Sequence, residues 1–294
     1  MPRDSFSGMS VGHYENFPVA SLLMPPRLRP AVQAIYRFAR TADDIADEGD
    51  DAASIRIQKL DALERELDAI DAGRASAWPD LARSVVGFRL PTTLLRDLLS
   101  AFRQDVAVSR YATPASLLDY CRRSANPIGR LLLHLFRRTD EELFALSDAI
   151  CTGLQLTNFL QDIALDWRKG RVYLTGEALH RHGLDERAIE QQSRDPRWQA
   201  LMREQTAATR TLLDSGAPLA HSLGGRSGWE LRLVVQGGLR ILERIDAVDG
   251  DVFRFRPQLG AWDWVLIAAR ALRMRRMDYT AVVNLRNSAA KLHE

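Results

Sequence analysis

The chain holds only two cysteines in 294 residues, Cys121 and Cys151. Both fall in stretches that read as helix, and neither has a partner at metal-ligand spacing. That argues against a disulfide framework and against a zinc site, and leaves buried reduced thiols as the expectation. The six histidines, among them His13, His134 and His293, form no zinc spacing either, and no Ser-His-Asp or Cys-His arrangement stands out. A surplus of one charge is also missing: 40 Lys and Arg against 38 Asp and Glu give a formal charge of +2, so no nucleic-acid partner is expected. No strand alternation, no internal repeat and no Gly-rich phosphate loop or dinucleotide fingerprint is present. No apolar run approaches the length of a transmembrane helix, and Met1 to Gly8 lack the apolar core of a signal peptide. A cytoplasmic protein is the expectation, with peripheral contact at the inner face of the membrane through the basic cluster Arg270, Arg273, Arg275 and Arg276. A solvated helix end is the competing reading of that cluster.

What is present is helical. Apolar residues make up 46% of the chain, enough for a sizeable core. No Pro/Gly/Ser-rich linker divides it, so residues 1–294 are expected to form one domain. Pro25, Pro26 and Pro30 precede a helix that ends near Gly49. Ala52 to about Ala72 reads as an amphipathic helix with Ile55, Ile57, Leu60, Leu63, Leu67 and Ile70 as its apolar set. Further helices open at Pro91 and, behind a Thr113-Pro114 cap, through Tyr120 to a break near Asn126-Pro127. Asp140 is placed as the cap of a long helix from Glu141 to Trp167. Gly170 to Gly183 reads as a loop, Pro196 to about Ser215 as helix, Glu230 to Ala247 as another, and about Trp262 to Met277 as the last. Gly237-Gly238 sits inside a helical pattern, where each glycine is disfavoured by about 1 kcal/mol against alanine. A close approach of a helix or ligand is the expected reason.

Two acidic clusters carry the chemistry. One is Asp43-Asp44-Ile45-Ala46-Asp47, the other runs from Asn158 through Asp162 to Asp166. In each the outer aspartates are four apart, so on a helix they stack one turn apart on one face. Gln155, Asn158, Asp162 and Asp166 form one polar stripe among Leu154, Leu156, Phe159, Leu160, Ile163 and Leu165. Carboxylates on an otherwise apolar helix are unfavourable unless neutralised, and hard divalent cations bridging to phosphate neutralise them well. The residues alone therefore point to an all-helical protein with a metal–diphosphate cavity.

The run Tyr36-Arg37-Phe38-Ala39-Arg40-Thr41-Ala42-Asp43-Asp44-Ile45-Ala46-Asp47 resembles the squalene and phytoene synthase family. So does Gln155-Leu156-Thr157-Asn158-Phe159-Leu160-Gln161-Asp162-Ile163-Ala164-Leu165-Asp166, with the Arg168 to Leu174 stretch behind it. The likeness covers about Tyr14 to Pro257. Within the family three stretches are similar to the bacterial hydroxysqualene-forming branch of hopanoid biosynthesis. They are His13 to Ser21, Thr41 to Gly49, and Tyr120-Cys121-Arg122-Arg123-Ser124-Ala125-Asn126-Pro127-Ile128-Gly129-Arg130.

The resemblance implies an all-α isoprenoid synthase fold, with a core at about 14–257 and a C-terminal helix at about 262–277. It implies Mg2+-dependent conversion of presqualene diphosphate to hydroxysqualene and diphosphate, with water rather than NADPH closing the reaction. Two or three Mg2+ ions would be held by Asp43, Asp47, Asn158, Asp162 and Asp166. Asp44, off the axis of its neighbours, is a weaker ligand candidate. Arg40, Arg171, Tyr173 and Gln155 would contact diphosphate, Tyr36 would stand in the cavity, and Phe17, Leu131, Leu135, Leu154 and Phe159 would line a tunnel for isoprenoid tails. For these apolar residues, ordinary core packing is the competing reading. Arg37 and Lys169 are lesser phosphate candidates, and either Arg254 or Arg256 takes the place of a C-terminal arginine. Gly238 stands where many members carry tyrosine, which would widen the cavity there. Functional coupling to a presqualene diphosphate synthase and a squalene-forming reductase follows from the same likeness. A head-to-head condensing enzyme and a non-catalytic lipid-binding member remain as alternatives.

Overall fold

The computed structural model describes residues 24–274, and every statement below concerns these residues. Phe17, His13, His293 and the 275–277 end of the last expected helix lie outside them. Fourteen helices follow in order: α1 Arg29–Asp47, α2 Ala53–Asp71, α3 Pro79–Phe88, α4 Thr92–Ala107, α5 Pro114–Ser124, α6 Asn126–Leu135 and α7 Glu141–Gln161. They continue with α8 Ile163–Arg168, α9 Gly176–Arg181, α10 Arg187–Glu190, α11 Pro196–Gly216, α12 Leu219–Leu223, α13 Gly225–Ala247 and α14 Ala261–Arg273. The described residues contain no β-strand, only an isolated bridge between Arg110 and Val172. The architecture of the described residues is all-α, as expected.

Local chemistry explains the boundaries. Proline lies in the first turn of α1, α3, α5, α6 and α11, where a missing amide donor is harmless. Thr113 and Ser116 close a capping box on α5. Asp140 occupies the N-cap of α7 but makes no side-chain cap bond, so only its position matches expectation. The break between α5 and α6 falls at Ala125, directly before Asn126-Pro127. Asn126 is buried there and accepts a hydrogen bond from Thr152 Oγ1 at 2.9 Å. The short helices α3, α9, α10 and α12 carry too few turns for a periodic signal and are absent from the sequence reading.

α7 is the spine. It packs on α6, α11 and α13, and also touches α5 and α12. Contrary to expectation, one helix among the described residues is long and apolar enough to cross a bilayer by length and composition: α7, with mean hydropathy 1.2 over an 18-residue window. Most of that window, 67%, is buried in the fold, so its apolarity belongs to a core helix. Glycines let its neighbours close on it. A Cβ on Gly153 or Gly238 would stand 2.7 or 2.9 Å from the side chains of Leu213 or Leu154, respectively. Gly238 thus marks close packing of α13 on α7 and α11. The wider cavity expected at that point is overturned, because Leu154 and Leu213 fill the space.

The helix expected to run unbroken from Glu141 to Trp167 is interrupted at Asp162, with φ −106° and ψ 12°, and α8 starts at the next residue. The interruption coincides with the 254–257 segment docking on it. Gln161 Nε2 donates to the Pro257 carbonyl and Arg256 grips Asp162. Cys121 and Cys151 are free, buried thiols, each pushed up to about 12 by burial.

Candidate active site

The end of α1 and the start of α8 meet, as the two acidic clusters predicted, and Arg171 is the group between them. Its guanidinium donates from Nη1 to Asp47 Oδ2 at 2.7 Å and from Nη2 to Asp47 Oδ1 at 2.5 Å, a bidentate fork. This pair holds Arg171 well above its ordinary pKa. The field of Arg171 also reaches Asp43, Asp105 and Asp166. The loop that carries Arg171 is fixed by backbone pairing: Val172 N donates to Ser109 O, and Gly176 N to Tyr111 O, both at 2.9 Å.

Three carboxyls here are pushed up into the neutral range. Asp43 rises to about 6, mainly through burial and then through repulsion from Asp47. Asp166 rises to about 7 through burial and the nearby Asp162. Asp105 rises to about 7 through burial, partly offset by a hydrogen bond from Tyr120 Oη to its Oδ2 at 2.9 Å. Asp105 Oδ1 and Asp166 Oδ2 are buried with no hydrogen-bond partner. Buried carboxylate oxygens that lack donors suit a hard cation, and the donor set is oxygen throughout. No three acidic, histidine or cysteine side chains among the described residues converge on one point. Two of the expected ligands are instead held in ion pairs. Arg171 occupies Asp47, while Arg256 donates from Nε to Asp162 Oδ1 at 2.7 Å and from Nη2 to Oδ2 at 3.3 Å.

Arg40 lies one turn before Asp43, donates to it at 3.0 Å and to Glu48 at 3.1 Å, and forms an ion pair with Asp44 at 2.7 Å. The open choice between Arg254 and Arg256 is resolved by position. Arg256 is at the carboxylate cluster, whereas Arg254 pairs with Asp251. Arg37 is drawn away to Asp80 on α3, and Lys169 is exposed at the end of α8. Gln155, Asn158, Asp162 and Asp166 are all half-buried on a stretch whose other residues are mostly buried, so the stripe survives the interruption.

A cavity of about 390 Å3 opens beside this cluster. Tyr36, Arg40, Asp43 and Gln155 stand in its wall with Tyr120 and Ser124. The rest of the wall is mainly apolar, running past Ile128, Leu132 and Phe136 to Leu223, Leu231 and Val234. The expected tunnel residues are one helical position off. Leu131 and Leu135 are buried in the core formed with α1 and α4, and Ile128, Leu132 and Phe136 take the lining places. Phe159 faces Tyr173, stacked at 3.7 Å with an interplanar angle of 5°. Leu154 packs against α11 and α13.

Asp105 is the residue that sequence reasoning missed. It has no spacing partner in the chain, and only the fold of α4 brings it under Arg171. Tyr111, Tyr120 and Tyr173 surround it, with Tyr111 and Tyr173 centroids 5.8 Å apart. Burial raises all three phenols above their ordinary range. Asp105 adds to this at all three by repelling a phenolate, and Asp166 does so at Tyr173.

Comparison with known proteins gives the frame for this geometry. The squalene/phytoene synthase family model matches residues 11–263. Hydroxysqualene synthase of Rhodopseudomonas palustris is 36% identical over 240 residues, 80% of each chain. The enzyme of the same name from Sinorhizobium fredii is 36% identical over 70% of each chain. The crystal structure of squalene synthase HpnC from Alicyclobacillus acidocaldarius is 35% identical and superposes with a TM-score of 0.75, covering 81% of this chain and 90% of that one. Facing carboxylate clusters beside a largely apolar cavity, and this set of relatives, lead to one assignment: the chain belongs to the squalene/phytoene synthase family.

Proposed function

We propose that this protein is a hydroxysqualene synthase. It converts presqualene diphosphate and water to hydroxysqualene, diphosphate and a proton. The observation that carries the reading is the shape of the cavity. Arg40, Asp43, Tyr36 and Gln155 stand in its wall on the side of the carboxylate cluster, and the rest of the wall is mainly aliphatic and aromatic. Such a site fits a diphosphate head on a long hydrocarbon, and the hydroxysqualene synthases among the relatives name the reaction.

The residues divide the work. Asp43, Asp47, Asn158, Asp162 and Asp166 would hold the divalent metal that prenyl-diphosphate chemistry uses, read here as two or three Mg2+ ions. Bound there, the metal would neutralise charge on the departing diphosphate. Arg171 and Arg256 carry the guanidiniums nearest these carboxylates, and an arriving diphosphate offers each a bidentate partner. Arg40, Gln155 and Tyr173 complete the head-group site. The carbon–oxygen bond breaks with its electron pair on diphosphate, leaving a cyclopropylcarbinyl cation that rearranges by ring opening. Tyr36 and the apolar wall exclude bulk water during that step, so that one water adds and releases its proton. The adjoining buried clusters, joined through α6 and α7, support treating the described residues 24–274 as one domain. The substrate must come from a head-to-head prenyl condensation, and a reductase must remove the hydroxyl to give squalene. We place the reaction in the cytoplasm.

The test is a product assay with Mg2+ and no nicotinamide, using presqualene diphosphate and farnesyl diphosphate in separate tubes. Hydroxysqualene from the first tube alone supports the reading. Consumption of farnesyl diphosphate moves the chain to the condensing branch, and no turnover in either tube by folded protein supports a non-catalytic, lipid-binding member.

A further inference from the structure

α14 carries large apolar side chains on the side turned away from the fold. Its inner stripe, Asp263, Ile267 and Ala271, is buried against α13. Its outer side carries Trp262 at 85% exposure, Trp264 at 55%, Val265 at 60% and Leu272 at 73%. Trp262, Val265 and Leu272 follow i, i+3, i+10 spacing and so share one face. Phe255, 62% exposed, lies one residue before Arg256, which pairs with Asp162 of the carboxylate cluster. Large apolar side chains exposed together are unusual on a protein surface and mark a contact site.

We propose that this outer face of α14 is a docking surface for an anionic lipid bilayer. The helix would lie flat in the headgroup region with Trp262, Val265 and Leu272 entering the acyl boundary and Trp264 at the flank of that face. Three observations select a bilayer. First, α14 has 13 residues, which at 1.5 Å per residue is about 20 Å. That falls short of the roughly 30 Å needed to span hydrocarbon and suits a helix lying in the interface. Second, the charge around the face is complementary to anionic headgroups. Asp263 is sealed by Arg240 and Arg244, at 2.7 and 2.5 Å, and Glu243 by Arg240 and Arg270, at 2.7 and 2.5 Å. With exposed Arg273 this makes four guanidiniums against two carboxylates, and the sequence continues with Arg275 and Arg276. Third, indole is the side chain most at home where an apolar layer meets a polar one. On the functional reading above, on which this third part of the case also rests, both substrate and product carry C30 isoprenoid chains that partition into membranes. The 255–261 segment ties the docking face to Arg256, bringing the carboxylate cluster to the place where they reside.

The experiment measures co-sedimentation of the full chain with sucrose-loaded vesicles, without substrate, so that it is independent of which reaction the site performs. Vesicles of phosphatidylglycerol and phosphatidylcholine are compared with phosphatidylcholine alone, at low and high salt. The expected result is partition onto the anionic vesicles that weakens with salt. Trp262→Ala/Trp264→Ala should lower the partition coefficient by on the order of tenfold or more, since burying one large apolar side chain is worth about 1.5–3 kcal/mol. Arg273→Glu, which leaves the apolar face intact, should weaken binding to the anionic vesicles alone. Both variants should keep wild-type turnover on detergent-dispersed substrate. Failure of the wild-type chain to bind either vesicle overturns the proposal, as does binding that neither variant weakens. A vesicle-free dimer in sedimentation velocity that the tryptophan variant dissolves also overturns it, and would make the face an interface between two copies.

Discussion

Arg171 spends both arms of its guanidinium on Asp47, and Arg256 does nearly the same for Asp162. Each arginine therefore neutralises a carboxylate that the proposed reaction needs for metal. Removing Arg171 has two opposed effects: diphosphate loses a bidentate partner, and Asp47 is released. Arg171→Ala is expected to lower kcat/KM by about 10²-fold, the scale of losing one charge-stabilising donor. It should leave unchanged or raise Mg2+ affinity measured by titration calorimetry without substrate. Lower Mg2+ affinity in the variant would assign Arg171 to shaping the metal site instead. Asp43→Ala and Asp162→Ala should each abolish turnover while the far-ultraviolet circular dichroism stays helical; retained turnover in either would sink the metal-bridging roles. At this scale much of the site was legible, because a four-residue spacing fixes which aspartates share a face. Asp105 was not, since its place depends on α4 crossing beneath a loop sixty-odd positions away in the chain, and no local pattern encodes such a crossing.

Helix α7 meets α11 and α13 at glycines whose surroundings differ, and the difference can be measured. Gly237 has nothing nearer than Leu259 Cδ1 at 4.0 Å from a built Cβ. Gly237→Ala should therefore stabilise the protein by up to about 1 kcal/mol, through helix propensity alone. Gly216, at the end of α11, would place a Cβ 2.7 Å from the backbone oxygen of Leu146 and 2.6 Å from Ile150 Cγ1. Backbone cannot give way as a side-chain tip can, so Gly216→Ala should destabilise by about 1–3 kcal/mol in denaturant titrations. Equal effects from the two substitutions would refute the packing account. The Gly237-Gly238 pair was visible in the sequence as an anomaly, but its cause was not. Nothing in the chain says that Leu213 of α11 comes to fill the space beside Gly238. The same limit explains the displaced tunnel lining, where the helix was read correctly and its rotation was off by one position.

For the whole molecule, the raised carboxyls make stability depend on pH in a stated direction. Asp43 at about 6 and Asp105 and Asp166 at about 7 bind protons more tightly folded than unfolded, where a carboxyl titrates near 3.8. The folded state is thus favoured as pH falls through about 7 toward 4, and loses that contribution above about 7. In EDTA, Tm should rise from pH 8 to pH 6. Mg2+ competes with these protons, so it should raise Tm more at pH 8 than at pH 6. A metal-free Tm that falls between pH 8 and pH 6 would show that other groups dominate. The all-helical class and the facing of the two acidic clusters were readable at this scale from periodicity and spacing. The role of α7 was not, because composition alone does not tell a core helix from a spanning one. That ambiguity has a consequence during synthesis. Residues 141–161 leave the ribosome before α11 and α13, the two helices that cover them. Until then the nascent chain presents a bilayer-length apolar helix with two sides bare, and chaperones and insertion machinery meet it as they would a true span. A message cut between 162 and 195 would encode a polypeptide committed to that exposed state.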